Sequence, residues 1–201
     1  FLLMISGLVL TGCGGSEEDA GGAGGNARAV QPRTKPPTTL SINLSDRPSS
    51  IDPTLATEIS AHKMLLGLFD PLVRLDKDCE PVPAAATEWE HNENYTKWTF
   101  KLRKDGKWHN GDPVTSHDFK YAIERLLTQR THAQYAGLIK PLIKGGDEYY
   151  TMGGLAEGMH LDSIQTPDDY TISYELAFPA PYFITFVQLF TFMPIHKATI
   201  E

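Results

Sequence analysis

The apolar and polar positions change period several times along the chain, and each change marks an element. Around residues 95–102 the alternation is strict. Trp98, Phe100 and Leu102 fall on one side and Lys97, Thr99 and Lys101 on the other, the period-two pattern of a half-buried strand. Asp105-Gly106 and Asn110-Gly111 follow as turn dipeptides. After Pro113 the spacing becomes helical, with Phe119, Ala122, Ile123, Leu126 and Leu127 at i, i+3, i+4, i+7 and i+8. Thr115 is the expected N-cap of this helix and Asp118 its acidic N3 residue, a weaker form of a capping box that prefers Glu or Gln.

The same reading predicts strands over 39–44 and 71–75 and a helix over 57–69, where Ile59, Leu65 and Leu68 recur near helical spacing. Shorter helices are expected over 133–140 and 147–152. A hairpin over 163–165 and 170–176 turns at Pro167-Asp168-Asp169, and the aromatic run 182–192 reads as a buried helix. Residues 194–201 look like the start of a further helix. Strands and helices mix without a βαβ rhythm and without an internal repeat, which predicts a mixed α/β (α+β) class.

The N-terminal pattern is of another kind. Residues 1–10 (FLLMISGLVL) are apolar except for Ser6 and Gly7, too short to span a bilayer and suited to the apolar region of a signal peptide. No initiator Met and no basic segment precede them, so we expect the start of the signal to be missing. Leu10-Thr11-Gly12-Cys13 resembles a bacterial lipobox, which implies lipidation at Cys13 and an anchor in the membrane. Residues 14–38, rich in Gly, Ala, Ser and acids, hold too few large apolar side chains to offset their ordering entropy, and a flexible linker is expected. With Cys13 lipidated, Cys79 has no partner, so neither a disulfide nor a cysteine metal site is expected.

The chain has 201 residues and a formal net charge of -7. That balance argues against nucleic acid or an anionic lipid surface as partner, because both would repel it. His109, Asp112, His117 and Asp118 lie close in sequence and raise a metallohydrolase as one reading. The two histidines are not spaced i, i+4 and there is no HExxH, while turn and cap roles account for both aspartates. There is no GxSxG, no paired Cys and His, and no glycine loop set between a strand and a helix. No metal, no cofactor and no enzymatic activity are expected.

Several segments, in order, carry a resemblance. They are Ser50-Ile51-Asp52-Pro53, Leu68-Phe69-Asp70-Pro71-Leu72-Val73, residues 83–89 (PAAATEW), 98–103 (WTFKLR), 108–115 (WHNGDPVT), Pro181-Tyr182-Phe183 and Met193-Pro194-Ile195. Together they resemble the extracytoplasmic solute-binding proteins that serve ABC importers of oligopeptides, dipeptides and nickel, most of all the oligopeptide branch. The resemblance implies a two-lobe periplasmic-binding-protein fold with a small domain inserted in the first lobe, and a chain far longer than this one. On that reading 1–13 is the truncated signal with its lipobox, 14–38 the linker, 39–69 the start of lobe I, 70–196 the inserted small domain, and 197–201 the return to lobe I. It also implies a peptide ligand, a permease partner, a monomer, and ligand contacts from Thr57, Glu58, Ile59, Ser60 and Tyr135. The oligopeptide branch often carries an acid and then Gly where this chain has Thr57 and Glu58. A nickel-chelate or other small-solute binder is the alternative on the same fold.

Overall fold

The computed structural model describes residues 43–44 and 46–200. The signal, lipobox and linker, and most of the expected 39–44 strand, lie outside the described residues.

Among the described residues two antiparallel sheets form. A two-stranded one pairs β1 (Val73–Leu75) with β2 (Pro81–Pro83). The larger sheet runs in the order β3-β4-β6-β5, from β3 (Ala86–His91), β4 (Lys97–Leu102), β5 (Ile164–Asp168) and β6 (Thr171–Glu175). Its centre is set by the alternation seen in the sequence. Trp98, Phe100 and Leu102 are buried, and Phe100 faces Ile172 and Trp98 faces Tyr174 across the β4–β6 pair. On the opposite side of the pair the Thr99 and Ser173 hydroxyls hydrogen-bond at 2.9 Å. The edge strands are blunted. β3 exposes Glu88 and pairs it with Lys101 at 3.3 Å, and β5 carries Pro167, which an edge strand tolerates because the missing N–H costs no central ladder bond.

α2 (Ser116–Leu126) packs across β5 and β6 and is the central helix. Phe119, Ile123 and Leu126 enter the main core, while Tyr121 and Ala122 pack with Ile195 on another side. Its start is as expected from sequence: the Asp118 carboxylate accepts the Thr115 N–H at 2.7 Å, completing a capping box, and also faces Trp108 Nε1 at 3.4 Å. Near its end, the buried Glu124 carboxylate accepts the Leu161 N–H at 2.8 Å and pins the intervening loop. That loop requires glycine at 154, where φ is +61° and a Cβ would stand 2.7 Å from the Tyr149 ring.

Several expected elements differ. The helix expected over 57–69 is α1 (Ile59–Leu68); Thr57 and Glu58 precede it outside any helix or strand, with Glu58 extended at φ -94° and ψ 154°. The run 133–140 is helical only over α3 (Ala136–Ile139), and the next short helix is α4 (Gly146–Thr151). The continuous helix expected over 182–192 is instead a short α5 (Phe183–Phe186) and a 3-10 turn (Phe190–Phe192), separated by an extended Leu189. Phe190, Thr191 and Phe192 are all buried in succession; neighbouring side chains on a helix point 100° apart, so burying all three requires walls on several sides. β2 and β3 were not expected. Trp108 is half-buried and packs edge-on against Phe69 at 6.3 Å. A last helical turn, α6 (Lys197–Ile200), follows Ile195.

Candidate ligand-contacting edge

Asp52 shapes the approach to the candidate site. Its backbone carbonyl accepts the Leu55 and Ala56 N–H groups at 3.0 and 2.9 Å, and its carboxylate accepts the Thr54 N–H at 2.9 Å. Both terminal guanidinium nitrogens of Arg125, Nη1 and Nη2, donate to the same carboxylate, at 2.8 and 2.7 Å, tying this turn to α2. Burial by itself would raise the Asp52 carboxyl; Arg125 and the Thr54 N–H outweigh it and hold the group below its usual value of 3.8. The chain therefore leaves a fixed turn at Ala56 and passes through Thr57 and Glu58, the latter with extended backbone dihedrals, into α1.

Thr57 and Glu58 belong to neither sheet. The Glu58 carbonyl accepts the His62 N–H at 3.0 Å and opens α1. Hydrogen bonding from Ser49 holds the Glu58 carboxyl below its ordinary range, so it is an anion at neutral pH. At the helix start the side chains divide. Ser60 is buried, and Ile59 is 77% exposed. An extended backbone segment thus lies beside an exposed apolar side chain.

Tyr135 sits just before α3, where its carbonyl accepts the Leu138 N–H at 3.0 Å. Its ring meets Phe190 edge-on at 5.3 Å. Phe190 in turn meets the His62 ring of α1 at 5.4 Å, and burial lowers the His62 pKa, favouring the neutral ring. Phe190 therefore joins the two expected ligand-contacting regions into one cluster with Ala56, Ala61 and Leu65. The sequence reading missed both Phe190 and His62. Phe190 lay within a run read as one helix, and only the fold brings its ring to α1.

The histidine-aspartate grouping that suggested a metallohydrolase is dispersed. His117 Nε2 faces Asp169 at 3.4 Å and its Nδ1 faces Thr166, at the β5–β6 turn. Asp112 is engaged by Asn110 at 2.6 Å and by His196 at 3.2 Å. Among the described residues no group of three or more His, Cys, Asp or Glu side chains could hold a metal ion. No described helix is long and apolar enough to cross a membrane.

Residues 80–200 match the profile of the bacterial extracellular solute-binding proteins, family 5 (middle region). Over 200 residues the chain is 34% identical to the oligopeptide-binding protein OppA of Bacillus subtilis, covering 100% of this chain and 35% of that protein. Among solved structures, the substrate-binding domain of an oligopeptide ABC transporter from Bacillus anthracis superposes with a TM-score of 0.68 at 34% identity, over 75% of this chain and 28% of that one. Listeria monocytogenes OppA bound to peptide gives a TM-score of 0.68 at 32% identity, over 75% of this chain and 29% of that one. The chain spans about a third of the length of the curated relatives it matches.

Proposed function

The chain belongs to family 5 of the bacterial extracellular solute-binding proteins, and from that premise we propose that it forms part of an ABC-importer substrate-binding protein that captures oligopeptides and passes them to a membrane permease. The observation that carries this reading is the segment at Thr57 and Glu58, extended at Glu58 and outside both sheets, which leads into the helix whose His62 meets Phe190 and through it Tyr135. An extended segment of this kind can take a peptide as an added strand. Main-chain hydrogen bonding is tolerant of sequence, because every peptide offers the same N–H and C=O pattern. Side chains would then lie in hydrated space, where bridging water replaces specific contacts.

In this reading Thr57, Glu58 and Ile59 contribute backbone to the ligand. Ser60 contributes only main chain, since its side chain is buried. Tyr135 forms the aromatic wall, with Phe190 behind it. Residues up to 69 open lobe I and 70–196 form the inserted small domain. The protein works as a monomer without catalysis, anchored by lipid on Cys13 through the 14–38 linker on the outer side of a membrane; the apolar run before Cys13 supports this. Ligand binding drives closure only through its higher affinity for the closed state.

Calorimetry on the full-length protein tests the ligand class, using a mixed peptide pool, a nickel chelate and a sugar in parallel. Saturable heat with the peptides alone is the expected result. Binding of the chelate or the sugar without any peptide binding would overturn the assignment.

A further inference from the structure

We propose that His62 is a positioning residue of the ligand edge: its ring backs Phe190, Phe190 sets the Tyr135 ring against the ligand, and charging His62 in acid loosens binding. This rests on the reading of Tyr135 as the aromatic wall of a peptide site. The three rings come from three places in the chain: α1, the residue before α3, and the Phe190–Phe192 turn.

Geometry carries it. Phe190 is buried and meets two rings edge-on, His62 at 5.4 Å and 74° and Tyr135 at 5.3 Å and 84°. Edge-on contacts are directional, because the positive edge of one ring meets the negative face of the other. A ring held by two such contacts cannot turn without loosening both. Ala56, Ala61, Leu65 and Met193 complete the cluster around it. His62 is also tied to the segment that receives the ligand in this reading, since its N–H donates to the Glu58 carbonyl at 3.0 Å. One residue therefore joins the receiving main chain to the aromatic wall. The chemistry of that residue adds a condition. An apolar cluster suits the neutral imidazole and disfavours the imidazolium, which gives up hydration to stay there. The charged and titratable groups on the elements around it are Glu58 one turn earlier, Lys63 beside it on α1, and Tyr135; the 190–192 turn, Phe-Thr-Phe, brings none. Burial, and not one of these groups, holds His62 below its ordinary value of 6.5. The contribution of the neutral ring is therefore complete above that value and is lost as pH falls through the lower folded-state value.

The test is calorimetry on the full-length protein at about pH 7 and about pH 5, on either side of the histidine range, with a peptide that binds at the higher pH and carries no His, Asp or Glu. Wild-type affinity should fall roughly three- to tenfold at the lower pH, the worth of one aromatic contact. His62→Phe keeps a ring that cannot charge, so it should bind like wild type at the higher pH and hold that affinity at the lower one. His62→Ala should bind more weakly at both. An equal fall in wild type and His62→Phe would overturn the proposal, and so would a wild-type affinity that does not change with pH. Hydroxyl-radical footprinting of the unsubstituted full-length protein tests the same link without a variant and without peptide. Oxidation of Tyr135 relative to Tyr182, which is exposed, should rise at least about twofold at the lower pH as the wall loosens. An unchanged ratio would overturn the proposal. Absence of peptide binding at both pH values would instead end the peptide reading, and the footprint would still decide whether His62 holds Tyr135.

Discussion

Asp52 and Arg125 stand 73 residues apart and join through two short hydrogen bonds, with side chains only 21% and 14% exposed. A pair intermediate between surface and interior, with bidentate geometry, is expected to cost about 1–3 kcal/mol when broken. Asp52→Asn should lose that much in chemical denaturation at neutral pH. The sign of the pH effect follows from the lowered carboxyl. Its contribution is present above the usual value of 3.8 and disappears as pH falls through the still lower folded-state value. The gap between wild type and variant should therefore close in acid, and a gap that stays constant would contradict the assignment. Tyr174 makes a different prediction. It is fully buried, and its hydroxyl has no hydrogen-bond partner among the described residues, while burial pushes its pKa strongly up. Leaving such a group unsatisfied costs about 1–3 kcal/mol, so Tyr174→Phe should be neutral or stabilising. A clear loss in melting temperature would show that the hydroxyl is bonded after all.

The elements differ in how far the sequence revealed them. β4 and α2 were legible because burial there follows a single period: Trp98, Phe100 and Leu102 alternate, and Phe119, Ile123 and Leu126 share a helical face; the β5–β6 hairpin was read from its turn residues, of which Pro167 and Asp168 lie in β5. β3 was not legible, since an edge strand with charged Glu88 and Glu90 shows little alternation. The 182–192 run failed for the opposite reason. An apolar stretch buried on all sides carries no period, and strand, helix and turn look alike in it. At the candidate site, the family resemblance supplied Thr57 to Ser60 and Tyr135, and periodicity did not. Phe190, which joins them, is separated from His62 by 128 positions, and no local pattern links the two. α2 offers the sharpest test at this scale. Asp118 both completes its capping box and faces Trp108. Asp118→Ala should lower stability by about 1 kcal/mol or somewhat more, read by thermal unfolding. An unchanged midpoint would mean that the cap contributes nothing.

At the scale of the whole molecule, the proposed function makes the described chain one edge of a ligand cleft together with a framework that fixes it. The α2 helix holds that edge from behind through Arg125, and the four-stranded sheet supports α2. Of the grouping that looked chemical, Asp112 and His117 belong to this framework and not to the edge. If Tyr135 forms a wall of the ligand site, Tyr135→Ala in the full-length protein should weaken peptide binding by about 1–2 kcal/mol, while Tyr135→Phe keeps most of the affinity in calorimetry. Equal affinity for wild type and the alanine variant would remove Tyr135 from the site. The central claim is that the main chain at Thr57 and Glu58, just ahead of α1, receives the ligand as a strand. Amide hydrogen exchange on the full-length protein, with and without saturating peptide, measures this directly. Peptide should slow exchange at Thr57, Glu58 and Ile59 by at least about tenfold and leave the β4 and β6 amides unchanged. Exchange at 57–60 that is the same with and without bound peptide would contradict the account.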